Sequence, residues 1–258
     1  MEHRIIQSKD HPLVKQLVKL RRDRGYRNQE KKIVIEGIKP ILDLANHICF
    51  SLLVLEEGKP IPLKIKAKEI IFVSTNVMKK ISCMETPQGV LVVAQMPEKP
   101  DLSDSKKLVV INGIQDPGNV GTLLRTSWAF GWCGAIITEG SADPFNDKAI
   151  SASRGASVLF PFINLSTSQT VSFLNEIKAC CLVADTKGNS VESVRLTTPL
   201  ALVLGSEAMG PSLEFKKMGK IVTLEMESVV DSLNVAVAGG ILLYNIKIMT
   251  SDQVLLDG

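Results

Sequence analysis

Short continuous apolar runs alternate with segments of helical periodicity through the second half of the chain. Continuous apolar runs are typical of strands buried on both faces, and intervening helices provide the crossovers that parallel strands require. The pattern therefore predicts an α/β domain with a parallel sheet. The predicted strands span residues 108–111, 135–138, 159–163, 181–184, 200–204 and 221–224, and the predicted helices span 120–130, 147–156, 169–180 and 233–249.

The first part of the chain predicts a smaller α/β unit. Leu13, Leu17 and Leu20 recur at helical spacing with basic residues between them, which predicts an amphipathic helix over residues 12–24. The remaining predicted elements are strands at 33–35, 51–55, 70–73 and 90–94 and a helix at 39–46.

A polar segment containing Pro97 and Pro100 separates these two patterns and interrupts both periodicities. Proline together with clustered polar residues is typical of a linker. The predicted organisation is a basic N-terminal segment with a small α/β domain at residues 1–96, a linker at 97–105 and a second domain at 106–258.

Positive charge is concentrated at the start of the chain. Residues 1–40 hold eleven Lys or Arg and five acidic residues, a net charge of +6, whereas the whole chain carries +3 and residues 41–258 therefore carry −3. Such an asymmetry is typical of a segment that binds a polyanion, and equally of a solvated helix face. Charge alone leaves both interpretations open.

Cysteine and histidine usage restricts the chemistry. The five cysteines are an odd number without C-x-x-C spacing, which predicts a reducing, cytoplasmic location. All three histidines lie at or before position 47, so neither a metal site nor Ser-His-Asp chemistry is expected in the second domain. The N-terminus lacks an apolar signal core and the apolar stretch 233–249 is interrupted by polar residues, so no membrane association is expected.

Three polar or glycine-bearing blocks lie at the ends of predicted strands. They read NVGTLLR at residues 119–125, GSEAMG at 205–210 and SLNV at 232–235. The carboxyl ends of parallel strands meet at one edge of a sheet, so the blocks predict one shared small-molecule site. The chain has neither G-x-G-x-x-G after its first strand nor a P-loop, which argues against ordinary dinucleotide or nucleoside triphosphate binding.

Each block also has a purely structural interpretation. Asn119 is predicted to cap a helix whose Arg125 pairs with a nearby acid, and the GSEAMG block could be a strand-exit turn. Ser232 or Asp231 is predicted to cap the last helix. Residue chemistry alone does not choose between these interpretations and a ligand site.

The order of the blocks resembles a known family. N-x-G-x-x-x-R, then G-x-E-x-x-G, then S-L-N-V is similar to the SpoU (TrmH-type) RNA ribose 2′-O-methyltransferases of the SPOUT superfamily. The resemblance runs from about residue 108 to 248, and IVIEG at 33–37 resembles the start of that family's small RNA-binding domain. It implies a C-terminal domain with a deep trefoil knot, a homodimer, and S-adenosylmethionine as cofactor without a metal.

The resemblance also implies roles for individual residues. Arg125 is the position that the family uses at the reacting ribose. Because a guanidinium stays protonated in proteins, we prefer Arg125 as an anchor for phosphate and for the developing 2′-oxyanion, and the alternative of a base stays open. The implied catalytic positions are Arg125, Asn119, Glu207, Ser232 and Asn234, and the implied cofactor contacts are Gly205, Leu224, Leu233 and Thr186.

The expected function is S-adenosylmethionine-dependent methylation of a ribose 2′-hydroxyl in structured RNA. Ribosomal RNA is the preferred substrate, because an appended N-terminal domain resembles the ribosomal-RNA members, and transfer RNA is the alternative. Two rival hypotheses are a knotted protein that binds RNA or cofactor without catalysis, and a related knotted enzyme that methylates a base such as guanine N1 in transfer RNA.

Overall fold

The computed structural model describes residues 5–227 and 232–256, and the chain groups into two compact units. The first unit runs to Glu98 and also takes in Phe145–Val158. The second comprises Lys99–Pro144 and the chain from Leu159 onward. Across these described residues, every helix is too short or too polar to span a bilayer.

The helices and strands follow one another in an order close to the predicted one. They are β1 (Ile5–Ile6), α1 (Pro12–Arg22), α2 (Arg24–Glu30), β2 (Lys32–Glu36), α3 (Ile38–Ala45), β3 (Leu52–Glu56), β4 (Ile70–Val73), α4 (Thr75–Ile81), β5 (Val90–Gln95), β6 (Lys107–Asn112), α5 (Pro117–Ala129), β7 (Gly134–Thr138), α6 (Asp147–Ser153), α7 (Ala156–Leu159), β8 (Phe162–Leu165), α8 (Thr167–Glu176), β9 (Cys180–Ser190), β10 (Leu200–Gly205), α9 (Leu213–Met218), β11 (Lys220–Thr223) and α10 (Val235–Leu256).

The first unit has a mixed five-stranded sheet in the order β1-β4-β3-β5-β2. Helix α1 is the amphipathic helix that the leucine spacing predicts, and Val14, Leu17 and Leu20 are buried in the core of this unit. The helix ends two residues before the predicted position 24, because Asp23 has an extended backbone and begins a new helix. Its carboxylate accepts a hydrogen bond from the backbone N of Tyr26 at 2.9 Å and so caps α2, which the sequence did not predict.

Two arginines of the basic segment have structural roles in the first unit. The Arg21 side chain is 8% exposed and its Nε lies 3.6 Å from the carboxylate of Asp147 in α6. Burial raises the pKa of Asp147, and the neighbouring Arg21 guanidinium opposes that rise. Arg27 is 5% exposed and donates to the carbonyl oxygens of Leu20 and Arg21 at 2.8 and 2.7 Å. The net charge of the segment therefore overstates the charge available to a partner.

The second unit confirms the predicted α/β domain. Its six strands are all parallel, in the order β11-β9-β10-β6-β7-β8. Leu102, which lies in the predicted linker, is 3% exposed and belongs to the core of this unit. Leu102 therefore anchors the proline-containing segment to the second unit, although most residues of that segment are polar.

One departure from the predicted elements occurs near Pro161. Residues 159–163 were expected to form a strand, but Leu159 ends α7 and the strand β8 begins only at Phe162. Proline has no backbone N–H and cannot continue either the helix or the hydrogen-bond ladder, so the chain changes element there. An apolar run alone cannot separate a buried helix from a buried strand.

Candidate functional site

The carboxyl ends of β6 and β10 lie side by side, with Asn112 in register with Gly205. The Asn112 side chain fixes the loop after β10, because its Oδ1 accepts from the backbone N of Ser212 at 2.8 Å and its Nδ2 donates to Thr138 Oγ1 at 3.0 Å. A buried amide with these partners is well satisfied. It holds the exit loop of β10 against the neighbouring strand.

The exit loop of β10 folds back on itself tightly. The backbone N of Gly210 donates to the Ser206 carbonyl at 2.8 Å, and Gly210 has a φ of 64°, a conformation that favours glycine. A Cβ at Gly205 would lie only 2.0 Å from the backbone N of Pro211. Gly205 is therefore required by the closure of the loop itself.

Helix α5 begins earlier than the sequence predicts. Pro117 is its first residue, and Asp116 caps it by accepting from the backbone N of Asn119 at 2.8 Å. The prediction that Asn119 is the cap was wrong, because a proline at the first helical position with an aspartate before it makes a stronger start signal. The Asn119 side chain is consequently free to bond elsewhere.

One polar residue from each block joins a continuous hydrogen-bonded chain, which we call the amide cluster: Asn234, Asn119 and Glu207. Asn234 Nδ2 donates to Asn119 Oδ1 at 3.1 Å, and Asn119 Nδ2 donates to Glu207 Oε1. The three blocks, up to 115 residues apart in sequence, therefore meet in space.

Asn234 also caps α10. Its Oδ1 accepts from the backbone N of Ala236 and of Val237, at 2.9 and 3.3 Å. The prediction of Ser232 as the cap was wrong, since these first-turn donors bond Asn234, and Asp231 lies outside the described residues. Capping orients Asn234 toward Asn119, which ties the third block to the first.

A cavity of about 480 Å³ opens beside the amide cluster. Its walls combine apolar side chains such as Leu204, Val222 and Leu242 with the backbone of the β10 exit loop. Ligand cavities of small organic molecules have this size and this mixture of surfaces. The predicted site residues that line it are Thr186, Gly205, Glu207, Leu224, Ser232, Leu233 and Asn234.

Two predicted residues lie off the cavity wall. Asn119 reaches it indirectly, through Glu207 and Asn234. Arg125 is exposed on α5 and is not among the described residues that line the cavity. Its separation from Asn119 by six positions rotates it to a different side of the helix.

Sequence reasoning missed an ion pair in the cavity wall. Lys216 Nζ lies 2.6 Å from Asp185 Oδ2, and the two side chains are 28% and 17% exposed. Burial acts to raise the pKa of Asp185, but hydrogen bonds from Lys216 and from the backbone N of Lys187 outweigh it and hold the pKa below its ordinary value. Lys216 lies on α9, a helix without a predicted counterpart, so no sequence signal pointed to this pair.

Two family models match this chain. The model described as the SpoU rRNA Methylase family matches residues 106–244, and the model described as an MRM3-like substrate binding domain matches residues 11–92. The first covers more than half of the chain.

Curated relatives match over most of their length. The chain is 31% identical to the 23S rRNA (guanosine(2553)-2′-O)-methyltransferase RlmP of Bacillus subtilis, over 67% of this chain and 71% of RlmP. It is 29% identical to an uncharacterized tRNA/rRNA methyltransferase of Synechocystis sp., over 94% of this chain and 93% of that relative.

Solved structures share the fold. A crystal structure of an RNA 2′-O ribose methyltransferase matches with a TM-score of 0.77 and 26% identity, covering 93% of this chain and 97% of its own. The SpoU methyltransferase AviRb of Streptomyces viridochromogenes, solved in complex with AdoMet, matches with a TM-score of 0.81 over 93% of this chain and 98% of its own. At 20% identity, the second match shows likeness of fold alone.

Proposed function

Because this chain belongs to the SpoU rRNA methylase family, we propose that it transfers a methyl group from S-adenosylmethionine to a ribose 2′-hydroxyl of ribosomal RNA. It is an RNA 2′-O-methyltransferase, and the relative RlmP is named for that reaction on 23S rRNA. The observation that carries the proposal is the amide cluster, which brings one residue of each block to the edge of a ligand-sized cavity.

The cavity fits S-adenosylmethionine in size and chemistry. Its apolar wall suits the adenosine ring system, while the β10 exit loop offers backbone N–H and C=O groups. When bound, the cofactor supplies an electrophilic methyl group on a sulfonium. The residues proposed to hold it are Thr186, Gly205, Leu224 and Leu233, and their place in the cavity wall supports that assignment.

We assign the amide cluster to the ribose. For the 2′-oxygen to bond the methyl carbon, S-adenosylhomocysteine would have to leave and the hydroxyl would have to release its proton to a base or a water, so negative charge would develop on the 2′-oxygen. Arg125 is proposed to anchor a phosphate and stabilise that charge, and Glu207, held by Asn119, positions Arg125 or a water. Ser232 and Asn234 are proposed to hold the nucleotide or to shape the cofactor loop. Alignment of reacting atoms by such contacts supplies a large part of enzymatic rate.

We further propose a homodimer that pairs helix α10. Val237, Ile241, Tyr244 and Ile248 are 52%, 41%, 47% and 42% exposed, and their spacing of four, three and four places them on one face. Trp128 of α5, 42% exposed, lies one helical turn after Arg125. A contiguous exposed apolar face marks a protein interface, and Arg125 would then lie beside it.

The first unit is proposed to bind RNA phosphates. Lys15, Lys19 and Arg22 are exposed at i, i+4 and i+7 of α1, which forms a basic stripe even after Arg21 and Arg27 are discounted. The match of residues 11–92 to a substrate binding domain supports this role.

We propose the domain order as an RNA-binding domain at 1–96, a linker at 97–105 and a methyltransferase domain with a deep trefoil knot at 106–258. The family models, matching residues 11–92 and 106–244, support this order, while residues 145–158 within the second range group with the first compact unit. Membership of the SpoU family supports the knot, which general topology rules would never select. Cytoplasm is the proposed location, where unpaired cysteines such as Cys181 persist.

Arg125→Ala tests the proposed roles. We expect affinity for S-adenosylmethionine within about twofold of the unaltered protein, because Arg125 does not line the cavity. Methyl transfer to ribosomal RNA should be abolished. Calorimetric titration measures the affinity for S-adenosylmethionine. Methyl transfer is measured as the amount of labelled nucleoside recovered after digestion of the RNA. Near-normal turnover by the variant would contradict the assignment, and modification of transfer RNA alone would move the substrate to the alternative class.

A further inference from the structure

The Asp185–Lys216 pair lies in the cavity wall without a role in the proposed reaction. Lys216 is the single cation among the described residues that line the cavity, where the anions are Asp185 and Glu207. A ligand carboxylate that finds a positive partner in this wall therefore finds Lys216.

The pair and the amide cluster lie on opposite sides of the β10 exit loop. Strand β10 is flanked by β6 on one side and by β9 on the other. Asn119 follows β6 and bonds Glu207, whereas Asp185 belongs to β9. The cavity wall thus carries Glu207 of the amide cluster toward the β6 side of the loop and the charged pair toward the β9 side.

The pair has bonding capacity left for a ligand. An ammonium has three donors, and Lys216 directs one at Asp185 Oδ2. Asp185 Oδ1 accepts from the backbone N of Lys187 at 3.1 Å, and the backbone of Thr186 also bonds the carboxylate, which leaves one of its roughly four lone-pair sites for a ligand. Both side chains can therefore add a bond toward the cavity without losing the bond between them.

We propose that Asp185 and Lys216 recognise the amino-acid end of S-adenosylmethionine. Lys216 receives the α-carboxylate and Asp185 the α-ammonium, which makes a head-to-tail array of alternating charges. The adenosine part has no charge to satisfy such a pair. Partial burial strengthens these contacts relative to water. The inference rests on the proposed function, since it concerns the same cofactor.

The test compares ligands with and without the amino-acid end. The full-length protein is titrated calorimetrically with S-adenosylmethionine, S-adenosylhomocysteine and 5′-methylthioadenosine, the last of which lacks both charged groups. Lys216→Met should weaken the binding of S-adenosylmethionine and S-adenosylhomocysteine by about 10- to 100-fold, which is the usual contribution of a charge-assisted hydrogen bond. The affinity for 5′-methylthioadenosine should stay within about twofold. Asp185→Asn should show the same selectivity, and Lys216→Arg should retain most of the affinity.

Lys217→Met is the matched control, because Lys217 is the exposed neighbour on the same helix. It should bind all three ligands as the unaltered protein does. Equal weakening of all three ligands by Lys216→Met would overturn the inference in favour of simple support for the loop, and so would no weakening. Should Lys216→Met fail to fold, Asp185→Asn gives the same comparison. If the unaltered protein binds none of the three, the proposed function itself fails.

Discussion

The place of Asn119 in the site could be predicted from the sequence, but its hydrogen bonds could not. The block pattern predicted that Asn119, Glu207 and Asn234 belong to one site, and their hydrogen-bonded chain brings them together. Their contacts could not be predicted, because the sequence favoured Asn119 as a helix cap. Because Asp116 caps the helix instead, the Asn119 amide is free to bond residues of the two other blocks.

The ion pair in the cavity wall leads to a pH prediction at the same scale. The folded pKa of Asp185 is lowered from the ordinary 3.8, so its ionised form stabilises the fold. That contribution is complete above the ordinary pKa and is lost as the pH falls through the lowered value. Asp185→Asn should therefore reduce the free energy of unfolding by about 1–3 kcal/mol near neutral pH, and the difference should disappear in acid.

Chemical denaturation of the two proteins at a series of pH values measures this difference. A deficit in the variant that stays constant down to strongly acidic pH would show that the charge of Asp185 is not its source.

At the scale of elements, strands were easier to predict than helix limits. Continuous apolar runs located most strands of the second unit to within one residue at each end, since a strand that is buried on both faces is apolar throughout. Helix α9 was missed because its six residues, LEFKKM, are too few to display a period. Helix α10 was expected, but its apolar residues on nearly every side hid which face is buried.

Two adjacent glycines of α10 distinguish its buried side from its open side. A Cβ at Gly239 would lie 2.6 Å from Leu123 Cδ2 and 2.8 Å from Leu204 Cδ1. A Cβ at Gly240 would meet Thr126 Cγ2 at 3.6 Å, an ordinary contact. Gly239→Ala should therefore destabilise the fold by about 1–3 kcal/mol, and Gly240→Ala should be neutral or stabilise it by up to about 1 kcal/mol.

Denaturant unfolding followed by tryptophan fluorescence measures both variants, since Trp128 and Trp132 are the only tryptophans and both lie in the second unit. Equal effects of the two substitutions would contradict the close packing of α10 on α5 and β10.

At the scale of the whole molecule, the sequence predicted two α/β units but not their membership. Residues 145–158 follow the first strands of the second unit in sequence, yet they group with the first unit. There Arg154 pairs with Asp43 at 2.6 Å and Arg21 pairs with Asp147. Ion pairs between residues this distant in sequence leave no local signal. The net charge of residues 1–40 likewise gave no sign that the side chains of Arg21 and Arg27 are buried.

The proposed dimer makes a prediction at this scale. Ile241→Glu places a charge at the centre of the exposed apolar face of α10, and desolvating that charge in an interface is costly. The unaltered protein should have twice the chain mass of 28.1 kDa in solution, and the variant should have the mass of one chain. Light scattering after size exclusion measures both.

Leu63→Glu is the control, because Leu63 is fully exposed in the first unit and lies off the proposed interface. It should remain dimeric. A monomeric unaltered protein would contradict the dimer, and an Ile241→Glu variant that stays dimeric would exclude this face.

Methylation of ribosomal RNA can be measured with the purified protein, S-adenosylmethionine that carries an isotopically labelled methyl group, and ribosomal RNA from cells that lack the enzyme. The RNA is then digested, and mass spectrometry identifies the labelled nucleoside. We expect one labelled 2′-O-methyl nucleoside, which is absent when Arg125→Ala replaces the unaltered protein. Label on a base, or RNA that binds and acquires no label, would contradict this expectation.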